Sequence, residues 1–142
     1  TDLAYRDFDA MTVTDKDIIA ARVLKYNAVR FKAGAVPQEV YRMCDSLGMY
    51  VITQIPINTS KSGLSRRLGG NPSNDPKWKQ AYLDRVETTY RTTRGNACVI
   101  GYIMAEESSN GINLYESYLR LKVLEQKRPV IYLEAAGEWN SD

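Results

Sequence analysis

One pattern recurs four times along the chain: a helix-periodic segment followed by a short, β-branched apolar run. Thr14-Asp15-Lys16-Asp17 reads as a helix N-cap with a box-like acid, and Ile19, Ala20, Val23 and Leu24 follow at helical spacing. "NAVRF" (Asn27–Phe31) is then the first strand. Pro37 opens a second helix with Val40, Met43, Cys44 and Leu47 on one face, ended by Gly48, and "MYVITQI" (Met49–Ile55) is the second strand. Asp75-Pro76 starts a third helix, with Trp78, Tyr82, Val86 and Tyr90 along one side, that runs to about Arg94-Gly95. "CVIGYIMA" (Cys98–Ala105) follows it as strand three. A fourth helix extends to roughly Lys127, and after Pro129 comes "VIYLEA" (Val130–Ala135).

Near-continuous apolar strands alternating with amphipathic helices specify an α/β fold with a parallel sheet. The spacing alone fits either a doubly wound sheet or a (β/α)8 barrel. In both, function gathers at the C-terminal strand ends. Those ends carry Arg30-Phe31-Lys32, Gln54 to Asn58, Glu106-Glu107 and Glu134 onward. An arginine, amides and carboxylates on one rim suit a small-molecule or sugar site. The stretch from Pro56 to Asp75 has no periodicity and is long for a compact domain, which marks it as a loop over that rim. "GLSRRLGG" within it lacks the Gly-Lys-Ser/Thr of a phosphate loop.

A length of 142 residues corresponds to one domain. Net charge is +2 with the basic residues scattered, which argues against a nucleic-acid or membrane surface. No apolar run is long enough to span a bilayer, and nothing reports a compartment. The chain has no histidine, which removes Ser-His-Asp catalysis and the usual His/Cys zinc sites, so neither metal nor cofactor is expected. Cys44 and Cys98 read as small buried apolar residues, and Asn58-Thr59-Ser60 is a formal glycosylation sequon.

The strand ending on Glu106 and Glu107 poses the sharpest chemical question, because an unpaired buried carboxylate costs several kcal/mol. "DIIAARVLKYNAVRF", "YRMCDSLGMYV", "VIGYIMAEESSNGIN" and "KRPVIY" occur in an order that resembles the catalytic barrel of glycoside hydrolase family 2, the β-galactosidase and β-glucuronidase family. The resemblance implies a partial (β/α)8 barrel, residues 1–142 forming part of one barrel domain with strands equivalent to the second through fifth. It implies that Glu107 is the general acid/base of a retaining two-carboxylate glycosidase, and that Arg30, Gln54 and Glu106 bind the sugar. Arg30 has an equal claim to a salt bridge with a neighbouring carboxylate, and Tyr102 reads as barrel packing. Arg30 and Glu107 are expected to look into a shared cleft from neighbouring strands. Alternate strand side chains face opposite ways, so Glu106 and Glu107 should not share a role while the strand persists.

The departures from the family pattern fall at functional places. Ser-His-Tyr-Pro is replaced by Lys32, Ala33, Gly34 and Ala35, an acid on the third strand by Gln54, and metal-binding Glu and His by Asn58 and Ser60. Glu106 stands where an asparagine usually bonds the sugar 2-hydroxyl; a carboxylate accepts that bond but cannot donate one. These changes motivate an alternative, a degenerate relative that binds carbohydrate without cleaving it. The nucleophile is expected on a seventh strand outside these residues, with Glu134 and Glu138 as solvated or hydrogen-bonded loop acids. Two sheet edges and one apolar face should then be covered by the rest of a parent protein or by self-association.

Overall fold

The computed structural model describes residues 2–32 and 34–142; Ala33 lies outside the described residues. Five parallel strands, β1 (Tyr5–Asp9), β2 (Ala28–Lys32), β3 (Tyr50–Gln54), β4 (Val99–Ile103) and β5 (Val130–Ile131), form one sheet in sequential order. Four helices, α1 (Asp15–Val23), α2 (Gln38–Leu47), α3 (Lys79–Thr93) and α4 (Ile112–Leu124), connect them. The order never reverses, so there is no switch point of the doubly wound kind. This is part of an α/β barrel wall.

The four strands read from the sequence are β2 to β5, and β1 adds a fifth at the N-terminal edge. Its residues Tyr5, Arg6 and Asp7 are exposed, so it lacks the apolar run that betrays a buried strand. The last strand is shorter than expected. Val130 and Ile131 pair with β4, and Leu133–Ala135 then forms a 3-10 turn. The outer edge of β5 is occupied by residues 141–142 instead: Val130 N donates to Asp142 Oδ2 at 2.8 Å, Asp142 N to Val130 O at 2.8 Å, and Tyr132 N to Ser141 Oγ at 2.9 Å. This supplies partners for edge groups that would otherwise stay open.

Local signals explain the helix boundaries. Thr14 and Asp17 form a reciprocal capping box on α1, and Gly48 ends α2 at φ 67°, a conformation that favours glycine. Asp75 caps the 3-10 turn Pro76–Trp78 that leads into α3. One sheet face packs on the helices: Val29, Phe31, Val51 and Tyr102 join Ile18, Val40, Val86 and Leu121 in a single core. Two pairs of buried hydroxyls on this side bond each other, Tyr41 with Thr53 and Thr93 with Tyr102, each at 2.7 Å. Tyr102 is therefore packing, fully buried under α3. Cys44 and Cys98 are free and buried, and burial pushes the Cys44 thiol up to about 12, so it stays an inert apolar group.

Pleating sends Arg30, Lys32, Ile52 and Ile103 to the opposite face, where all four remain part-exposed and Tyr5 and Tyr50 are exposed. In a closed barrel this concave face is the interior.

Candidate active site

The C-terminal mouths of β1, β2 and β3 and the bend after β4 carry a chain of alternating charges. Arg30, on β2, donates both Nε and Nη2 to Asp7 on β1, at 2.8 and 2.7 Å. That fork lowers the Asp7 pKa and raises that of Arg30, which also feels the Glu106 charge. Arg30 is thus engaged as the salt bridge weighed from sequence. Lys32 Nζ lies 3.5 Å from Glu106 Oε1 and 3.9 Å from Asp7 Oδ2, while buried Gln54 donates to Glu106 Oε2 at 3.5 Å. Arg30, Gln54 and Glu106 therefore do come together on the concave side. Arg30 and Glu107 do not lie on neighbouring strands, because β3 intervenes between β2 and β4.

Glu106 and Glu107 part company through a backbone turn rather than through the pleat. Regular pairing of β4 ends at Ile103, and Glu106 makes one further bridge to Asn58, with its N–H on Ile57 O at 2.9 Å. Glu107 then adopts φ 42°, a left-handed conformation few non-glycine residues take. Ser108, fully buried, fixes the far side: its N–H donates to Glu134 Oε2 at 2.8 Å, its hydroxyl donates to Glu106 O at 2.9 Å, and that hydroxyl accepts Thr59 N at 3.0 Å. The Glu107 carboxylate is exposed and has no hydrogen bond or ion pair among the described residues.

Every other acid at the rim is occupied. Glu134 accepts from Ser108 N and from the Tyr132 hydroxyl, the latter at 2.8 Å. Burial, reinforced by that carboxylate, pushes the Tyr132 pKa up, so its hydroxyl keeps its proton and donates. Glu138 is bound by Arg66 at 2.7 Å and by Asn110 at 3.0 Å, and the arginine holds its carboxyl below the usual range. Of the two roles open to them from sequence, solvated or hydrogen-bonded loop acid, both glutamates take the hydrogen-bonded one.

The long loop from Pro56 to Asp75 is fastened across this rim. Asn71, fully buried, donates to Thr59 O and Gly63 O and accepts from Ser73 N and the Thr59 hydroxyl, which closes the loop on itself. Asn74 Oδ1 receives Ile112 N at 3.2 Å, and a Cβ at Gly111 would sit 2.6 Å from Asn74 Cβ. Only glycine permits that approach. The roles of Asp7, Lys32, Asn71 and Ser108 had no sequence signal, because each depends on a partner brought in by the fold.

Comparison with known proteins agrees with this architecture. The sequence matches the glycosyl hydrolases family 2, TIM barrel domain, over residues 2–141. It is 32% identical over 117 residues to a β-galactosidase of Yersinia enterocolitica, covering 82% of this chain and 11% of that enzyme. A β-galactosidase of Vibrio cholerae matches at the same identity and coverage. The chain thus spans about a ninth of the length of these curated relatives. In fold it resembles the family 2 β-galacturonidase of Eisenbergiella tayi bound to galacturonate, with a TM-score of 0.74 at 13% identity over 92% of this chain and 25% of that one. The β-glucuronidase of Parabacteroides merdae superposes with a TM-score of 0.68 at 14% identity, over 90% of this chain and 18% of that one.

Proposed function

The chain belongs to glycosyl hydrolase family 2, and from that premise we propose that it carries the acid/base half of a retaining glycosidase acting on β-linked sugars. Glu107 is the acid/base. Its protonated carboxyl gives a proton to the leaving glycosidic oxygen, and the resulting carboxylate then deprotonates the water that releases the sugar. The observation that carries this reading is the contrast at the β4 mouth. Glu106 and Ser108 are anchored on both sides, while the Glu107 carboxylate between them is exposed and unpaired among the described residues, on a strained backbone. Strain of this kind persists where surrounding structure enforces it, and function is a common reason.

Arg30, Gln54 and Glu106 form the sugar-facing wall. The nucleophile is assigned to no acid of this chain, since Glu134 and Glu138 are held by hydrogen bonds. It comes instead from a strand outside residues 1–142, about 5–5.5 Å from the acid/base carboxyl, the separation retaining enzymes require. These residues alone accordingly give no appreciable turnover. Their open concave face and β1 edge are covered by the rest of the protein or by self-association. The test is hydrolysis of aryl β-galactosides and β-glucuronides by the full protein. Glu107→Gln should lower kcat/KM by roughly 10²–10⁴-fold, and unchanged turnover would refute the assignment.

A second reading, carbohydrate binding without cleavage, is favoured by one observation. Arg30 and Glu106 are already satisfied by Asp7, Lys32 and Gln54. Saturable binding of a β-galactoside with no hydrolysis by the full protein would select it.

A further inference from the structure

Behind the Glu107 loop, on the outer side of the barrel wall, a cavity of about 530 Å³ opens between the loop after β3 and the first turns of α3. Its volume lies in the range of sites that enclose a small organic ligand. Thr59 joins the two places: it lines this cavity, while its backbone N–H is bound to Ser108, next to Glu107.

Two features of the lining point to one ligand chemistry. Trp78 offers an indole that is 45% exposed, an apolar plate of the kind that packs against the C–H face of a ring. Lys61 and Arg85 bring two positive charges, neither in an ion pair among the described residues, and no carboxylate lines the cavity. Arg85 is steadied by a hydrogen bond to Pro56 O. Tyr82, 4% exposed, closes the floor with its ring, and its hydroxyl is buried on the Thr59 side, out of reach of a ligand.

We infer that this cavity is a second carbohydrate site that takes a sugar ring bearing a carboxylate. The ring stacks on Trp78, and its carboxylate lies between Lys61 and Arg85. That the ligand is a sugar rests on the glycosidase reading above; that it is an anionic ring rests on the cavity alone.

The experiment is calorimetric titration of the full protein with methyl β-D-glucuronide and with methyl β-D-glucoside, which differ in the carboxylate. The glucuronide should bind roughly tenfold more tightly, the scale of one charge-assisted contact. Lys61→Gln should abolish most of that preference and leave aryl galactoside hydrolysis unchanged. Trp78→Ala should weaken both glycosides several-fold, because each ring loses the plate it stacks on. Equal affinity for the two glycosides overturns the proposal, as does glucuronide affinity indifferent to Lys61→Gln and Trp78→Ala. Stronger binding of sulfate or adenosine monophosphate than of the glucuronide overturns it too. Glu107→Gln separates the two claims: it should leave this binding intact, whereas a failure of the glycosidase reading would show as unchanged hydrolysis in that variant.

Discussion

Replacing Glu134 by alanine should release the backbone that presents Glu107. The Glu134 carboxylate accepts two hydrogen bonds, from Ser108 N and the Tyr132 hydroxyl, both at 2.8 Å. Tyr132 keeps Ser109 O as a partner when the carboxylate is gone, so the principal loss is at Ser108. That residue is fully buried, and an unsatisfied buried N–H costs about 1–3 kcal/mol. Glu134 is part-exposed and water can enter its place, so a value near 2 kcal/mol is reasonable for the local opening. With each 1.4 kcal/mol worth about a factor of ten, the Ser108 amide should exchange roughly 30-fold faster. Hydrogen exchange with mass-spectrometric readout on peptides spanning Met104 to Asn110 measures this in the full protein. Glu134→Gln retains one acceptor oxygen and should show a much smaller increase. If Ser108 exchange were the same in wild type and Glu134→Ala, the anchor would not be holding the turn, and the claim that it positions Glu107 would fall.

Other expectations follow from the same structure. Thr53→Val strands the Tyr41 hydroxyl under α2 and should cost about 1–3 kcal/mol, while adding Tyr41→Phe should recover part of it, because both partners are then apolar; denaturant melts of the two variants test this. Asp7, Asp45 and Asp142 all have pKa values lowered below 3.8. For Asp7 the cause is the Arg30 fork; for the other two, hydrogen bonds outweigh the opposing effect of burial. Their stabilisation is therefore complete above the unfolded-state value and disappears as pH falls through the lower folded values. A melting midpoint flat from neutral pH to about 5 and falling steeply below 4 is the expected profile; a midpoint insensitive to acid would contradict it. Gly111→Ala forces a Cβ against Asn74 and should cost about 1–3 kcal/mol, read as faster proteolysis of the loop between Pro56 and Asp75.

The parts of the fold legible in the sequence are those whose residues are buried by local elements. β2, β3 and β4 show as apolar runs because both faces are covered or half-covered, and Thr14 and Gly48 announce helix ends through their own backbone chemistry. β1 escapes because an exposed edge strand needs no apolar pattern, and β5 is overestimated because the chain turns back after Ile131 to cover its own edge. Glu107 stands out by resemblance to a family, not by spacing. The left-handed turn that separates it from Glu106 has no signature in a Glu-Glu-Ser-Ser run. The pairing of Arg30 with Asp7 spans 23 residues, and that of Ser108 with Glu134 spans 26; only the assembled sheet brings those groups together.

Leaving-group dependence in Glu107→Gln is the most direct test of the central claim. A glycoside whose leaving group is already a stable anion, such as dinitrophenolate, needs no proton for bond cleavage, whereas an alkyl or unsubstituted phenyl glycoside does. The rate of glycosyl transfer, followed across such a series in the full protein, should fall roughly 10²–10⁴-fold for the poor leaving groups and little for the best ones. A penalty of equal size across the whole series, or none at all, would contradict the assignment of Glu107 as the proton donor.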